Sequence, residues 1–171
     1  MPKLASFTAD LDPSPVTGWW NTDRNAYKPA PPEPTIEMTE EQWGARLEGN
    51  WAVSGGKLVP YDPPPTPEQI VAAKIRQGLT LQPMGAVIAI TGMHMEDLRL
   101  AALDASVGLG LPGGGDSFDL MTRDGTTIAL NETQVITVYK AARNLMAGLG
   151  HQIAIMKRGD APTWTEQTLN L

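Results

Sequence analysis

Six aromatic side chains in the first part of the chain are the residues whose type and spacing best fit a binding role. They are Trp19, Trp20, Tyr27, Trp43, Trp51 and Tyr61. Tryptophan and tyrosine combine a large apolar ring with one polar hydrogen, so an exposed ring can anchor a protein partner or stack on a sugar. The same rings also suit a plain core, because a small lobe needs bulky side chains to bury enough area. Both interpretations stay open from the sequence.

A second pattern, Gly108-x-Gly110-x-x-Gly113, has the spacing of a dinucleotide-binding fingerprint. That motif binds a pyrophosphate only between a strand and the N-terminus of a helix. Here the glycines follow a predicted helix and precede a predicted β-hairpin, and Pro112 interrupts them. The sequence therefore predicts no nucleotide cofactor, and it indicates no other cofactor.

Residues for metal binding or catalysis are sparse. The two histidines, His94 and His151, lie far apart in sequence, and His94 beside Glu96 and Asp97 is typical of a polar helix start. The chain has no cysteine, which excludes thiolate metal sites, a cysteine nucleophile and disulfides. No G-x-S-x-G nucleophile elbow occurs. We therefore predict no metal site and no catalytic residue, and expect that the protein is not an enzyme.

Charge and hydropathy argue against two classes of partner. The formal net charge is −6, and no cluster of lysine and arginine is present, so a nucleic-acid partner is not expected. The longest apolar run, 84–93, is about half of what a membrane-spanning helix needs. The first residues lack the apolar segment of a secretion signal. These patterns predict a protein made and kept in a reducing cytoplasm, without a membrane partner.

The elements that would position the aromatic residues form a predicted β-rich first lobe, residues 1–62. A strand carries Trp19 and Trp20 into a polar turn, and Tyr27 opens the returning strand. The prolines between 29 and 34 predict an extended loop. Glycines 55 and 56 predict a hairpin turn between strands at 51–53 and 57–59.

One short helix is predicted inside this lobe. Thr39 is its expected N-cap, with Gln42 completing a capping box. Trp43 and Leu47 are four residues apart, so they would share one face that packs on the hairpin. Gly49 is the expected end of the helix.

Residues 63–78 are predicted to be a polyproline linker followed by a helix. Pro63, Pro64 and Pro65 favour a stiff extended segment. Thr66 is the expected cap of the helix, which runs to Gly78.

Residues 79–171 are predicted to form an α+β lobe that ends in a long helix. Its expected elements are a strand at 86–90, a helix at 95–105, a glycine-rich connector at 108–115, a hairpin of strands 117–122 and 126–130, and a helix capped by Asn131. The fold class is therefore predicted to be α+β.

The order of motifs between 18 and 67 resembles the phage tail-fibre assembly proteins. The resemblance rests on Trp43, Leu47 and Gly49 in the helix, on Gly56-Lys57-Leu58 in the strand pair, and on 62–67 at the proline tract. It implies a chaperone that binds a trimeric tail-fibre protein and assists its folding or trimerisation. It also implies action in the host cytoplasm, with retention on the virion tail as a further expectation. The aromatic residues would then be the partner-binding residues.

The segment DGTTIALNETQVITVYKAA, residues 124–142, resembles a C-terminal domain of unknown function that often accompanies these phage modules. Phe118 stands before the turn, whereas the tryptophan expected there is absent. Two other functions stay open. The chain could be a permanent structural subunit of the tail tip or baseplate, with other tail proteins as partners, or a carbohydrate-binding module for host recognition.

Overall fold

A computed structural model of the chain describes residues 2–22 and 30–171. Tyr27 and the predicted returning strand lie outside these described residues. The chain divides into two compact units, Met1–Pro64 and Pro65–Leu171. Both strands and helices are present, so the predicted α+β class is confirmed.

The first unit is a five-stranded sheet with one short helix. Its elements are β1 (Lys3–Phe7), β2 (Ser14–Asn21), β3 (Thr35–Met38), α1 (Glu40–Ala45), β4 (Trp51–Ser54) and β5 (Lys57–Pro60). The strand order is β3-β1-β2-β4-β5, and all pairs are antiparallel. The outer strands β3 and β5 contact each other, so the sheet is curled. Ala5, Met38, Val53 and Leu58 form the buried centre of this unit.

The predicted β4–β5 hairpin is present, with Ser54 paired to Lys57. Gly55 and Gly56 have φ angles of 54° and 71°. A two-residue turn of this kind needs a positive φ at both central positions, which glycine adopts without steric cost. The dipeptide therefore fixes the register of these two strands.

Helix α1 begins where the sequence predicts and ends earlier. The Thr39 hydroxyl accepts a hydrogen bond from the Gln42 N–H at 3.1 Å, and the Gln42 side chain accepts one from the Thr39 N–H at 2.9 Å. The predicted end at Gly49 is wrong, because the helix stops at Ala45 and Arg46 is its C-cap. Leu47 is 76% exposed, so it does not share a packed face with Trp43.

The second unit is built around a 26-residue helix. Its elements are α2 (Pro67–Gln77), β6 (Leu79–Gln82), β7 (Ala86–Ile88), α3 (Met93–Ser106), β8 (Phe118–Met121), β9 (Thr127–Leu130), α4 (Glu132–Lys157) and β10 (Thr168–Asn170). Helices α2 and α3 both pack against α4. The α4 residues Val135, Val138, Ala142, Leu145 and Leu149 are buried in the core of the unit.

The predicted linker, residues 63–78, is divided by the structure. The second unit begins at Pro65, and α2 belongs to it because Val71 is buried in the same core as α4. Lys157 near the end of α4 forms an ion pair with Glu68 in the first turn of α2, at 2.5 Å. This ion pair lowers the pKa of the Glu68 carboxyl.

The predicted long C-terminal helix is present as α4, but a further segment follows it. The segment 158–171, here called the C-terminal tail, follows it and ends in β10. Strand β10 pairs in parallel with β6, which pairs antiparallel with β7 on its other side. Trp164, Leu169 and Leu171 of the tail pack against the core of the unit.

The predicted β8–β9 hairpin has its turn at Asp124-Gly125 and is closed by the Asp124 carboxylate. One carboxylate oxygen accepts hydrogen bonds from the Thr122 hydroxyl, from the Thr126 N–H at 3.1 Å and from the Thr126 hydroxyl at 2.9 Å. These bonds, led by that from Thr122, lower the pKa of Asp124. A carboxyl with a lowered folded-state pKa stabilises the fold above its unfolded pKa, and that stability disappears as the pH falls through the folded pKa.

We therefore expect Asp124→Asn to lower the melting temperature at pH 6, where the wild-type carboxylate is charged. The difference from wild type should shrink as the pH falls through the lowered pKa of Asp124, below the usual range for aspartate. Thermal unfolding of both proteins between pH 2 and pH 7 measures this. A difference that stays constant over the whole range would contradict a role for the charge.

Candidate protein-binding surfaces

Three tryptophans of the first unit contribute to its core. Trp19, Trp43 and Trp51 are half-buried and pack against the four-residue buried centre. Because that centre is small, most of the apolar area buried in this unit has to come from large rings around it. The aromatic residues thus hold the curled sheet together, and part of each ring stays accessible.

Two basic side chains contact the Trp43 ring. The Arg46 guanidinium is 4.1 Å from the ring centroid, and the Lys3 ammonium is 5.7 Å from it. Arg46 also donates a hydrogen bond to the Trp43 carbonyl oxygen at 2.6 Å, and Lys3 forms an ion pair with Glu40. Cation–π contacts of this kind fix the ring and give its surroundings a positive charge.

Trp20 lies on the opposite face of β2 from Trp19. Its indole N–H donates to the Ser6 hydroxyl at 3.2 Å, and the ring lies next to Gly18. A Cβ at position 18 would be 2.9 Å from the Ser6 oxygen and 3.2 Å from the indole nitrogen. Glycine at this position therefore makes room for the Trp20 ring to lie flat along the strand.

Tyr61, the last of the described aromatic residues in this group, is half-buried like Trp51. The indole nitrogen of Trp51 is buried and has no hydrogen-bond partner among residues 2–22 and 30–171. The Tyr61 N–H donates to the Asn50 carbonyl oxygen at 2.9 Å, directly after β5. Of the six predicted partner-binding residues, five are thus gathered in the sheet unit, while Tyr27 lies outside the described residues.

A second surface, on α3, was not predicted from the sequence. Four apolar side chains of this helix are exposed: Met93 by 77%, Leu100 by 46%, Leu103 by 50% and Val107 by 62%. They recur every three, four or seven residues and so lie on one side of the helix, opposite the buried Leu98, Ala101 and Ala102. We call these four residues the α3 stripe. The sequence of α3 did contain a signal for this surface. Its apolar residues cover more of the helix circumference than the single face that packs on a core.

Beside the α3 stripe lies a groove between α3 and α4, with a volume of 190 Å³. Arg99, Leu103 and Ser106 line it from α3, and Ile136, Tyr139, Lys140 and Arg143 line it from α4. On each helix the lining residues recur at helical spacing, so the two sets of side chains face each other across the groove. Its lining combines apolar side chains such as Leu103 and Ile136 with three basic ones.

The charges along this groove are only partly neutralised. Arg99 forms a two-bonded ion pair with Glu96, at 2.6 and 2.9 Å, which lowers the pKa of Glu96 and raises the pKa of Arg99. Lys140 and Arg143 are exposed, and the structure gives them no ion pair with any of the described residues. Two positive charges therefore face solvent beside exposed leucines.

The sites that the sequence argues against have no supporting geometry in the described part of the chain. No three or more of its His, Asp and Glu side chains are grouped so that they could hold a metal ion. Gly108, Gly110 and Gly113 follow α3 and precede β8, so they do not join a strand to a helix N-terminus. None of the helices in the described ranges has the length and apolar content to cross a bilayer.

Comparison of the chain with protein-family models, with characterised proteins and with solved structures finds no match.

Proposed function

We propose that the protein binds another protein during assembly and acts as a phage tail-fibre assembly chaperone. The exposed α3 stripe is the observation that carries this proposal. Four large apolar side chains on one face of a helix cost hydration free energy unless a partner covers them at some stage. Three of the four residues are methionine or leucine, whose flexible side chains can adjust to different shapes. Such a surface suits a partner whose own apolar surface is exposed only while it folds.

The proposed partner is a trimeric tail-fibre protein, which the motif order between 18 and 67 supports. Trimeric β-rich fibres form through non-local strand pairing, which is slow and leaves strand edges and apolar side chains exposed. A chain that covers such surfaces reduces aggregation until the trimer closes. The net charge of −6 also favours a protein partner over nucleic acid. Action in the host cytoplasm during assembly is part of the proposal.

Co-expression with the product of the neighbouring gene, as the candidate fibre protein, tests this function. We expect soluble fibre trimer only when the chain is present, measured by light scattering after size-exclusion chromatography. Leu103→Glu should reduce the yield of soluble trimer at least tenfold, because a carboxylate in the α3 stripe would lose its water on binding. Met84→Glu is the matched control, since Met84 is 46% exposed in the same unit but lies outside the stripe.

Three outcomes separate this proposal from its alternatives. A complex of fixed ratio that also occurs in purified particles would make the chain a structural subunit of the tail. A change in tryptophan fluorescence with host glycans, without any effect on the fibre, would favour a carbohydrate-binding module. Equal trimer yields with and without the chain would refute the chaperone proposal.

A further inference from the structure

We infer that the groove between α3 and α4 binds an acidic amphipathic helix of a partner protein. This inference rests on the proposed protein-binding role and adds the chemistry of the segment that is bound. Three features carry it: the apolar stripe, the shape of the groove and the positive charge along one edge.

The apolar part of the site calls for apolar side chains at helical spacing. The α3 stripe runs from Met93 to Val107, a length of about 21 Å at the α-helical rise per residue. A partner helix of about four turns, with apolar residues three and four apart, matches this length. The groove of 190 Å³ beside Leu103 then accepts one apolar side chain of that helix. Ile136 and Tyr139 line the groove and are half-buried, so they offer preformed, largely apolar contacts.

The charged part of the site determines which charges the bound helix should carry beside its apolar face. Lys140 and Arg143 stand on the α4 edge, one turn apart, with no ion pair among the described residues. Carboxylates on the adjacent flank of a bound helix would pair with both. Such complementarity mainly speeds association and excludes wrongly charged partners.

The rest of the second unit shows why this edge stands out in an acidic protein. Four other basic side chains of this unit have partners outside the groove: Lys157 with Glu68, Arg158 with Asp160, Lys74 over the Trp164 ring, and Arg123 with the Gln77 carbonyl oxygen. Arg76 on α2 is exposed without an ion pair among the described residues, but it does not line the groove. On the far side of the α3 stripe, helical spacing places Asp97 and Asp104. A bound acidic helix is therefore attracted from the α4 side and repelled from the other, which fixes where it lies.

The test uses the full chain and designed peptides, without the fibre protein. One 16-residue helical peptide carries leucines three and four apart with glutamates on its flanks, and a second carries lysines in place of the glutamates. Fluorescence anisotropy should show that the glutamate peptide binds at least tenfold more tightly than the lysine peptide. Raising the salt concentration should weaken its binding, because the charge pairs are exposed.

Charge reversal in the protein locates the site. Lys140→Glu/Arg143→Glu should raise the Kd for the glutamate peptide at least tenfold and improve binding of the lysine peptide. Lys57→Glu/Arg76→Glu changes the net charge equally at exposed positions outside the groove and should leave both values within twofold. Tighter binding of the lysine peptide to the charge-reversed variant than to the wild type would show that the variant is still folded.

Other results would overturn the inference. Equal affinity for both peptides, or no binding of either, would mean that the groove does not select acidic helices. Self-association of the chain that is abolished by the Lys140/Arg143 reversal would assign this face to a second copy instead. These measurements contain no fibre, so they can fail while the co-expression experiment succeeds, and the reverse also holds.

Discussion

Replacing Gly78 with alanine is expected to lower the free energy of unfolding of the second unit by about 3–5 kcal/mol. Gly78 ends α2 and leads directly into β6, with a φ of 78° that L-residues rarely adopt. A Cβ there would lie 2.3 Å from the carbonyl oxygen of Ile88 in the neighbouring strand. That oxygen belongs to the β6–β7 pairing, so relief of the clash requires the backbone of a buried sheet to shift.

The matched control is Gly85→Ala in the β6–β7 turn. Gly85 has a φ of 68°, but nothing lies within 4 Å of the position of its Cβ. Its substitution should therefore cost only the backbone strain, about 1–2 kcal/mol. Chemical denaturation of both variants measures the difference, and equal destabilisation would show that the contact with Ile88 is relieved at no cost.

Removing residues 163–171 should have the second large effect, a loss of about 4–6 kcal/mol from the second unit. The truncation removes the packing of Trp164, Leu169 and Leu171 on the core and exposes the edge of β6, where Leu81 is fully buried. It also removes the Thr163 N–H that donates to the buried Gln152 side chain at 2.9 Å. Circular dichroism should show a second unit that unfolds well below the temperature of the intact chain.

A point substitution keeps this prediction testable if the truncated chain aggregates. Gln167 donates two hydrogen bonds, each 2.9 Å long, to the carbonyl oxygens of Lys74 and Gly78 at the end of α2. Gln167→Ala should cost about 1–3 kcal/mol because it leaves those oxygens unpaired. Its exposed neighbour offers the control Glu166→Ala, which should change stability by less than about 0.5 kcal/mol. Similar values for the two variants would argue against an anchoring role for the tail.

The elements that local sequence determines could be predicted. Thr39, Thr66 and Asn131 each precede a glutamine by three residues, and all three form capping boxes. The two hairpin turns are likewise set by local residues, because Gly55, Gly56 and Gly125 adopt the positive φ angles that these turns need. These signals act within a few residues, so a single sequence contains them completely.

The elements that depend on distant partners could not be predicted. Strand β10 is three residues long and becomes a strand only because β6 offers a free edge. Of the candidate sites, the group of aromatic residues could be recognised in the sequence. The α3–α4 groove could not, because it forms only when two helices pack against each other.

The parallel pairing of β10 with β6 has a consequence for the order of events during synthesis. The Gln167 side chain and the Gly78 carbonyl oxygen are 89 residues apart in sequence, and α3, both hairpin strands and α4 lie between them. All strands of the first unit lie within residues 3–60. The curled sheet can therefore fold early, while the rest of the chain is still being synthesised. The second unit can fold completely only after β10 has been made. Newly made chains should present the tryptophan-rich sheet before the α3–α4 groove is complete.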